Sequence, residues 1–226
     1  KCLRMKAGLA RFVSSVARHL GLLYNEWEAN QELPGGRVII IDGPYFSHKS
    51  LHDRLIELNK RDGNSPIDML FCVPPTLVVH QPISNVMRSQ AAVAFEQWGF
   101  RTWDGAAEDI RDSYPTEIDQ LRIVQYDSCR GLEGWAVVNF SLDRFYEYKY
   151  DFAKSLTLAL PNQNSGVLGG DASSLHLYAA RWLLIPLTRA IDTLVIQIDS
   201  QYSPVYSALK AAATEYSEFV EWIVNK

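Results

Sequence analysis

The chain has 226 residues and a formal net charge of −4, and 47% of its residues are hydrophobic and 12% aromatic. A chain of this length and apolar content can bury one sizeable core, so we expect a single domain over residues 1–226. The net charge and a pI near 5.7 exclude a protein that coats nucleic acid by charge alone, and any nucleic-acid contact must be local.

Cysteine usage and hydropathy indicate the compartment. Cys2, Cys72 and Cys129 lie far apart and form no C-x-x-C pair, which fits a reduced, cytoplasmic protein better than a disulfide framework. No apolar run approaches the roughly 20 residues of a membrane-spanning helix, so no membrane partner is expected. The first residue is Lys1 rather than Met, and we expect the chain to be a fragment of a longer protein.

Hydrophobic periodicity predicts helices and strands in alternation along the chain. In the first half of the chain the predicted elements are, in order, a helix at 3–22, a strand at 37–42, a helix at 50–60, a strand at 67–73, a helix in the second half of 76–98, a short strand at 100–105 and a helical turn at 106–112. In the second half they are strands at 121–127 and 135–141, helices at 143–156 and 175–188, a strand at 193–198 and a helix at 204–224. Residues 159–174 are rich in Gly, Asn and Ser and predict a mobile loop.

The strand patterns are continuously apolar rather than alternating. The run RVIIID at 37–42 and the run MLFCV at 69–73 are typical of strands that are buried on both faces. Such strands, alternating with helices, predict an α/β fold with parallel pairing and helices on both faces of the sheet.

The segment YDSCRGLE, residues 126–133, separates two predicted strands. Ligands of parallel sheets are usually held at the carboxyl ends of the strands, and we expect this turn to lie there. Gly131 permits a tight backbone or a close approach to a ligand, Arg130 offers a forked cation, and Glu133 can accept hydrogen bonds from a sugar hydroxyl. Taken alone, the turn is better explained as a bend whose charges are solvated.

A second segment of interest is RWLLIPLTRAIDTLVIQI, residues 181–198. Here an apolar helix pattern runs through Thr188 and Arg189 directly into a strand pattern. An arginine at such a junction can simply cap the last helix carbonyls, which is favourable by up to about 1 kcal/mol.

The two segments together resemble a known family. CRGLEGWAVV, residues 129–138, resembles motif V, and RWLLIPLTRAIDTLVI, residues 181–196, resembles motif VI of superfamily-one DNA and RNA helicases. Those motifs usually read S-K-G-L-E and L-Y-V-A-L-T-R-A, and both occur here in the expected order. The resemblance covers most of residues 37–198 and implies the second RecA-like domain of such an enzyme, a three-layer domain with a mainly parallel central sheet.

The resemblance implies roles for several residues in binding nucleotide. Arg189 looks like the arginine finger that reaches the γ-phosphate of ATP, and Glu133 like the acid that meets either the ribose or the motor's own network of residues linked to the nucleotide. Gly131 would let the backbone approach the nucleotide or the strand. Arg130 stands where the family usually has lysine, so the charge is kept with a different geometry. Arg4 is the candidate for the phosphate-sensing arginine of the motif IV region.

The resemblance also implies contacts with nucleic acid. Asp127, Ser128 and Thr188 are the candidates for binding single-stranded DNA or RNA. Asp127 stands where the family commonly has histidine, which puts the usual contact at that position in doubt. The interval from Ile67 to Ile123 has little room for the large inserted domain of the best-known members, so ATP-driven translocation is better supported than duplex unwinding.

Two elements of an ATPase are missing from the sequence. It has no G-x-x-x-x-G-K-[ST] phosphate loop, and no Asp-Glu pair follows a suitable strand to hold magnesium. We therefore expect ATP and Mg²⁺ to be bound mainly by a first RecA-like domain that this chain lacks, and the chain alone to be inactive as a hydrolase. The alternatives are a non-catalytic RecA-like module that binds a partner, and an unrelated nucleotide-binding α/β domain.

Two further groups of side chains stand out in the sequence. His48 and His52 share a predicted helix face, but no carboxylate or thiol accompanies them, so they are interpreted as surface residues rather than metal ligands, and no metal site is expected. Phe145, Tyr146, Tyr148 and Tyr150 can stack on bases, although core and interface contacts are the more frequent role of such a cluster. Trp135 is interpreted as a buried anchor.

Overall fold

The computed structural model describes residues 4–22, 32–81, 86–107, 110, 112–159 and 171–224. The helices are α1 (Ala7–His19), α2 (Lys49–Arg61), α3 (Gln90–Gln97), α4 (Leu142–Ala159), α5 (Ala172–Leu187) and α6 (Pro204–Glu215). The strands are β1 (Arg37–Asp42), β2 (Met69–Val73), β3 (Val78–His80), β4 (Met87–Ser89), β5 (Arg101–Asp104), β6 (Gln120–Gln125), β7 (Gly134–Asn139), β8 (Ala190–Ile198) and β9 (Val220–Val224).

The centre of the molecule is a seven-stranded sheet in the order β5-β6-β2-β7-β8-β1-β9. Every neighbouring pair in this sheet is parallel. Strands β3 and β4 form a separate antiparallel pair, which the sequence analysis missed because each has only three residues. The predicted α/β class with a parallel central sheet flanked by helices is confirmed, and it is consistent with a RecA-like domain.

Helices cover both faces of the sheet and make three layers. One face packs against α1, α4, α5 and α6, and the other packs against α2 and α3. The strand β1 shows how its sequence serves both layers, because Val38 and Ile40 point into the first core and Ile39 and Ile41 into the second. The continuous apolar runs of the sequence follow directly from this double burial.

Local signals fix several of the helix starts. The Ser89 side chain accepts a hydrogen bond from the Ala92 N–H and caps α3, and Asp171 caps α5 through the Ser174 N–H. Ser203 caps α6, whose first residue is Pro204. Serine and aspartate are favoured at the N-cap because their side chains accept a hydrogen bond from a free N–H of the first turn. Proline is favoured at the first helical position because it has no N–H that would need a partner.

The predicted helix at 204–224 is wrong in its second half. Helix α6 ends at Glu215, and residues Val220–Val224 form β9, which pairs in parallel with β1. The sequence EFVEWIVNK, residues 218–226, is short and amphipathic, so its local preference is weak. Residues 220–224 form a strand because they pair with the edge of β1.

The predicted loop at 159–174 is also too long. Helix α4 runs to Ala159 and α5 begins at Ala172, while residues 160–170 lie outside the described part of the chain. The helical turn predicted at 106–112 falls partly outside it as well, since residues 108, 109 and 111 are not described. In the described part, no helix has the length and hydropathy needed to cross a bilayer.

Candidate functional site

The segment 126–133 crosses the sheet rather than turning at one edge. Strands β6 and β7 both pair in parallel with β2, one on each side, so the chain must return from the carboxyl end of β6 to the amino end of β7. Tyr126 and Cys129 are buried in the core on the α1 and α5 side along this path. The prediction that this whole turn lies at the carboxyl edge is therefore wrong, because Glu133 reaches the amino edge.

The crossing segment meets the end of α5 at the amino edge. The Gly134 N–H donates to the Arg189 carbonyl oxygen across 3.1 Å, and the pairing of β7 with β8 begins at Gly134 and Ala190. A Cβ on Gly134 would lie 2.8 Å from the Ala136 carbonyl oxygen and 3.0 Å from the Leu70 Cβ. Glycine at position 134 is thus required by the close approach of β2 to the backbone of β7.

Charged side chains from the start of the chain join this junction. Arg4 forms an ion pair with Glu133, and Lys6 forms one with Asp192, the third residue of β8. The Lys6 N–H also donates to the Ile191 carbonyl oxygen across 3.0 Å. Of the predicted nucleotide-binding residues, Arg4, Glu133 and Arg189 therefore lie together, although at the amino rather than the carboxyl edge.

The Arg189 side chain caps α5. Its Nε donates to the Ile185 carbonyl oxygen across 3.0 Å, and its Nη2 donates to the Thr188 Oγ1 across 2.9 Å. The Thr188 hydroxyl in turn donates to the Leu184 carbonyl oxygen across 2.8 Å. A cation at the carboxyl end of a helix is favourable, and the Nη1 of Arg189 makes no hydrogen bond with the described residues.

Arg189 also acts on two buried thiols. Cys72 and Cys129 are free and fully buried. Burial raises the pKa of the Cys72 thiol, while a hydrogen bond with Cys72, assisted by the Arg189 charge, lowers the pKa of the Cys129 thiol. Arg189 therefore interacts with this part of the chain in two ways. Its charge acts on the Cys129 thiol, and its carbonyl oxygen accepts a hydrogen bond from the Gly134 N–H.

Arg130 and Asp127 do not join Arg189 at the amino edge. The Arg130 guanidinium lies 4.6 Å from the centre of the Trp182 ring, and Asp127 forms a 2.6 Å ion pair with Lys149. The Lys149 Nζ lies on Trp182 as well, 3.8 Å from the ring centre. These charges tie the crossing segment to α4 and α5.

The two remaining candidate residues of the turn, Ser128 and Gly131, are exposed. Gly131 has φ of 80°, a left-handed conformation that favours glycine, and a Cβ there would meet no atom within 4 Å. The tight backbone expected at Gly131 is therefore confirmed, whereas a close approach to ligand stays a prediction. Ser128 is exposed at the carboxyl end of β6, and nucleic-acid contacts of Asp127, Ser128 and Thr188 stay predictions.

Sequence reasoning missed a cavity at the carboxyl edge of the sheet, which is lined by apolar side chains and a few polar ones. The cavity has a volume of about 530 Å³ and lies between the ends of β1, β7 and β8. In its wall the Gln197 Nε2 donates to the Ser141 Oγ across 3.0 Å, and Arg144 pairs with Asp199 at 2.6 Å. The signal for this cavity in the sequence was the polar residues, such as Ser141 and Asp199, at the ends of the apolar runs of β7 and β8.

The interpretation of His52 as a surface residue is wrong. His52 is fully buried and shares a 2.9 Å hydrogen bond with the Tyr45 hydroxyl. Burial lowers the pKa of His52 from 6.5 to about 4, against the weaker effect of Asp53, which raises it. In the described part of the chain, no group of three His, Cys, Asp or Glu side chains is placed to hold a metal ion.

The aromatic cluster of α4 divides between core and surface. Phe145 and Tyr146 are buried, and the Phe145 ring stacks on Tyr126 with ring centres 4.4 Å apart. Tyr148 is exposed, and it is the member of this cluster that is most accessible to a base. Trp135 is half-buried and its Nε1 donates to Asp62 across 3.3 Å, so the prediction of a buried anchor is only partly met.

Comparison with known proteins shows a resemblance in structure but none in sequence. No family model matches the chain, and no curated protein matches it in sequence. A solved structure that resembles it is the C-terminal domain of a possible DNA helicase from Lactobacillus plantarum WCFS1, with 10% sequence identity and a TM-score of 0.49 over 99% of this chain and 98% of that one.

Proposed function

We propose that this chain is the second motor domain of an ATP-dependent DNA or RNA helicase or translocase, and that it supplies an arginine finger to ATP held mainly by another domain. The observation that carries the proposal is the junction at the amino edge of the sheet. There the Gly134 N–H bonds the Arg189 carbonyl, and Glu133 pairs with Arg4. The segments that resemble motifs V and VI thus meet at one place.

The electrostatics of this edge favour a phosphate-bearing partner. Arg4 is 65% exposed although it is paired with Glu133, and Arg189 adds a second guanidinium whose Nη1 is not engaged by the described residues. Arginine presents several donors in a fixed fork, which suits phosphate oxygens. Two guanidinium groups at one sheet edge are a suitable surface for the γ-phosphate of a nucleotide bound elsewhere.

These residues fit ATP with Mg²⁺ as a shared ligand rather than as one bound by this chain alone. Arg189 and Arg4 would contact phosphate oxygens, and Glu133 would accept hydrogen bonds from the ribose. When bound, the nucleotide supplies the phosphoryl group whose hydrolysis drives movement. A cation near that group stabilises the charge that develops on it and is worth roughly 10³ to 10⁵ in rate in related systems.

The second candidate is a RecA-like module that binds a partner without catalysis. It is favoured by the local role of Arg189, whose Nε and Nη2 already cap α5 through Ile185 and Thr188. In that case the arginine contributes only to helix stability. The two candidates therefore differ in what the removal of one guanidinium does.

The test is the nucleic-acid-stimulated ATPase activity of the full-length polypeptide with Arg189→Ala and with Arg189→Lys. We expect Arg189→Ala to reduce turnover at least about 10³-fold and Arg189→Lys to restore little, because a point charge does not reproduce the fork. Arg181→Ala is the matched control, since Arg181 is an exposed arginine on α5, the helix whose end Arg189 caps, and it should leave turnover unchanged.

Thermal unfolding of the same variants separates the two candidates. A structural role predicts a loss of about 1 kcal/mol of stability with nearly normal turnover. Full activity of a folded Arg189→Ala variant would refute the motor assignment and favour the partner-binding module.

A further inference from the structure

A second cavity lies on the face of the sheet that carries α1, α4, α5 and α6. Its floor is formed by β5 and β6, one wall by the crossing segment at Ser128 and Leu132, and the roof by residues 112–115. Its volume is about 420 Å³. Cavities of roughly 300–1,000 Å³ with apolar walls and a few polar groups are the usual sites for small molecules.

The polar group on the floor of this cavity is Arg122. Its Nη2 donates to the Glu133 carbonyl oxygen across 2.8 Å, but its Nε is buried without a hydrogen-bond partner. The ion pairs found among the described residues do not include Arg122; burial lowers its pKa, and the charge of Asp68 partly offsets this by raising it. A largely buried guanidinium whose Nε has no hydrogen-bond partner is costly, and an anionic oxygen of a ligand can supply that partner.

An aromatic wall stands beside this cation. Trp103 on β5 is the direct neighbour of Arg122 on β6, so both side chains leave the same face of the sheet. The Trp103 ring packs on the backbone of Gly105, where an added Cβ would come within 2.3 Å of it. Its Nε1 donates to the Ser113 hydroxyl across 3.3 Å. The ring is therefore held in a fixed orientation by contacts on two sides.

The rim of the cavity limits the charge of a ligand. Asp112 lines the cavity and is an exposed residue, and Tyr114 is 86% exposed. A group with several negative charges would be repelled by Asp112, whereas a single anionic oxygen can reach Arg122 behind it. The chemistry of the site thus favours one negative charge on a flat, apolar body.

We propose that this cavity binds a small aromatic monoanion, with its ring against Trp103 and its carboxylate or sulfonate on Arg122. This site adjoins the Arg189 edge, since Arg122 bonds the Glu133 carbonyl oxygen, but it does not depend on the proposed motor function. Cation and ring are both in place in the cavity, so little ordering is required when the ligand binds.

The test is a fluorescence titration of the chain with two matched probes. 1-Anilinonaphthalene-8-sulfonate is an aromatic monoanion, and N-phenyl-1-naphthylamine has nearly the same rings without the charge. We expect Arg122→Met to weaken binding of the sulfonate at least about tenfold, as the loss of a charge-assisted hydrogen bond would, and to leave binding of the amine within about twofold. Arg101→Met is the control, because Arg101 is exposed on the same strand as Trp103 and pairs with Asp119.

A second variant keeps the test independent of the stability of Arg122→Met. Gly105→Ala displaces the Trp103 ring without touching Arg122, and it should weaken the binding of both probes. Circular dichroism identifies any variant that fails to fold, and if Arg122→Met does so, Gly105→Ala carries the test. Unchanged sulfonate affinity in folded Arg122→Met, or in Gly105→Ala, overturns the proposal.

Discussion

Removal of the Asp127 carboxylate is expected to lower the stability of the fold, because it leaves the buried Lys149 ammonium without its counter-ion. The Lys149 side chain is only 7% exposed, whereas its partner Asp127 is 39% exposed. The rings of Phe145, Tyr148 and Trp182 surround the Lys149 ammonium at 5.4, 5.4 and 3.8 Å. In Asp127→Asn the cation stays enclosed and loses its counter-ion.

The expected loss of stability follows from the burial of the pair. Breaking a buried ion pair by removing one partner costs about 3–5 kcal/mol. Because Asp127 is partly exposed and the rings offer cation–π attraction, we reduce this to roughly 2 kcal/mol. Lys149→Met removes the charge and keeps the volume, so it should cost less than about 1 kcal/mol, and the double variant should be no less stable than Asp127→Asn.

Urea unfolding at 25 °C and pH 7, followed by tryptophan fluorescence, measures these differences. With a denaturant dependence of about 2–3 kcal/mol per M, the midpoint of Asp127→Asn should fall by about 0.7–1 M. Asp53→Asn is the control, since the Lys49–Asp53 pair is half-exposed on both sides and should change stability by less than about 0.5 kcal/mol. A midpoint for Asp127→Asn as high as that of the control would refute the role assigned to this pair.

Two further predictions concern the core. Gly134→Ala should destabilise the fold by about 2 kcal/mol, because the new Cβ would meet backbone of β7 and the Leu70 Cβ on β2; a midpoint within experimental error of wild type in the same urea experiment would contradict the close approach. His52 should make stability depend on pH, since its folded pKa of about 4 lies below its ordinary value of 6.5. The unfolded chain then binds the extra proton as pH falls, so wild type should lose about 2 kcal/mol between pH 7 and 5. His52→Phe should abolish most of that loss, and an equally steep pH dependence in the variant would show that other groups are responsible.

Much of the fold is predictable because its signals are local. Doubly buried strands such as 37–42 require continuous apolar runs, and helix starts such as Ser89 and Ser203 carry their own capping residues. The structure of residues 220–224 could not be predicted in this way. Their strand conformation depends on pairing with β1, which is about 180 residues away in sequence.

The sequence offers candidate residues for the site, but it does not give their position in the fold. The sequence places Arg130, Glu133 and Arg189 near strand ends, but it does not show that β6 and β7 flank β2. Only that topology forces residues 126–133 across the sheet and separates Arg130 from Glu133. The burial of His52 and the pairing of Asp127 with Lys149 likewise depend on contacts between distant elements.

The most direct measurement of the proposed motor role is the affinity of the full-length polypeptide for ADP with and without aluminium fluoride, in the presence of Mg²⁺. ADP with aluminium fluoride resembles the transition state of phosphoryl transfer, and a residue that stabilises that state binds the analogue more tightly than the product. If Arg189 is the arginine finger, Arg189→Ala should bind ADP normally and lose at least about 10²-fold of the additional affinity for the analogue. An Arg189→Ala variant that keeps the full difference between the two affinities would contradict the proposed function.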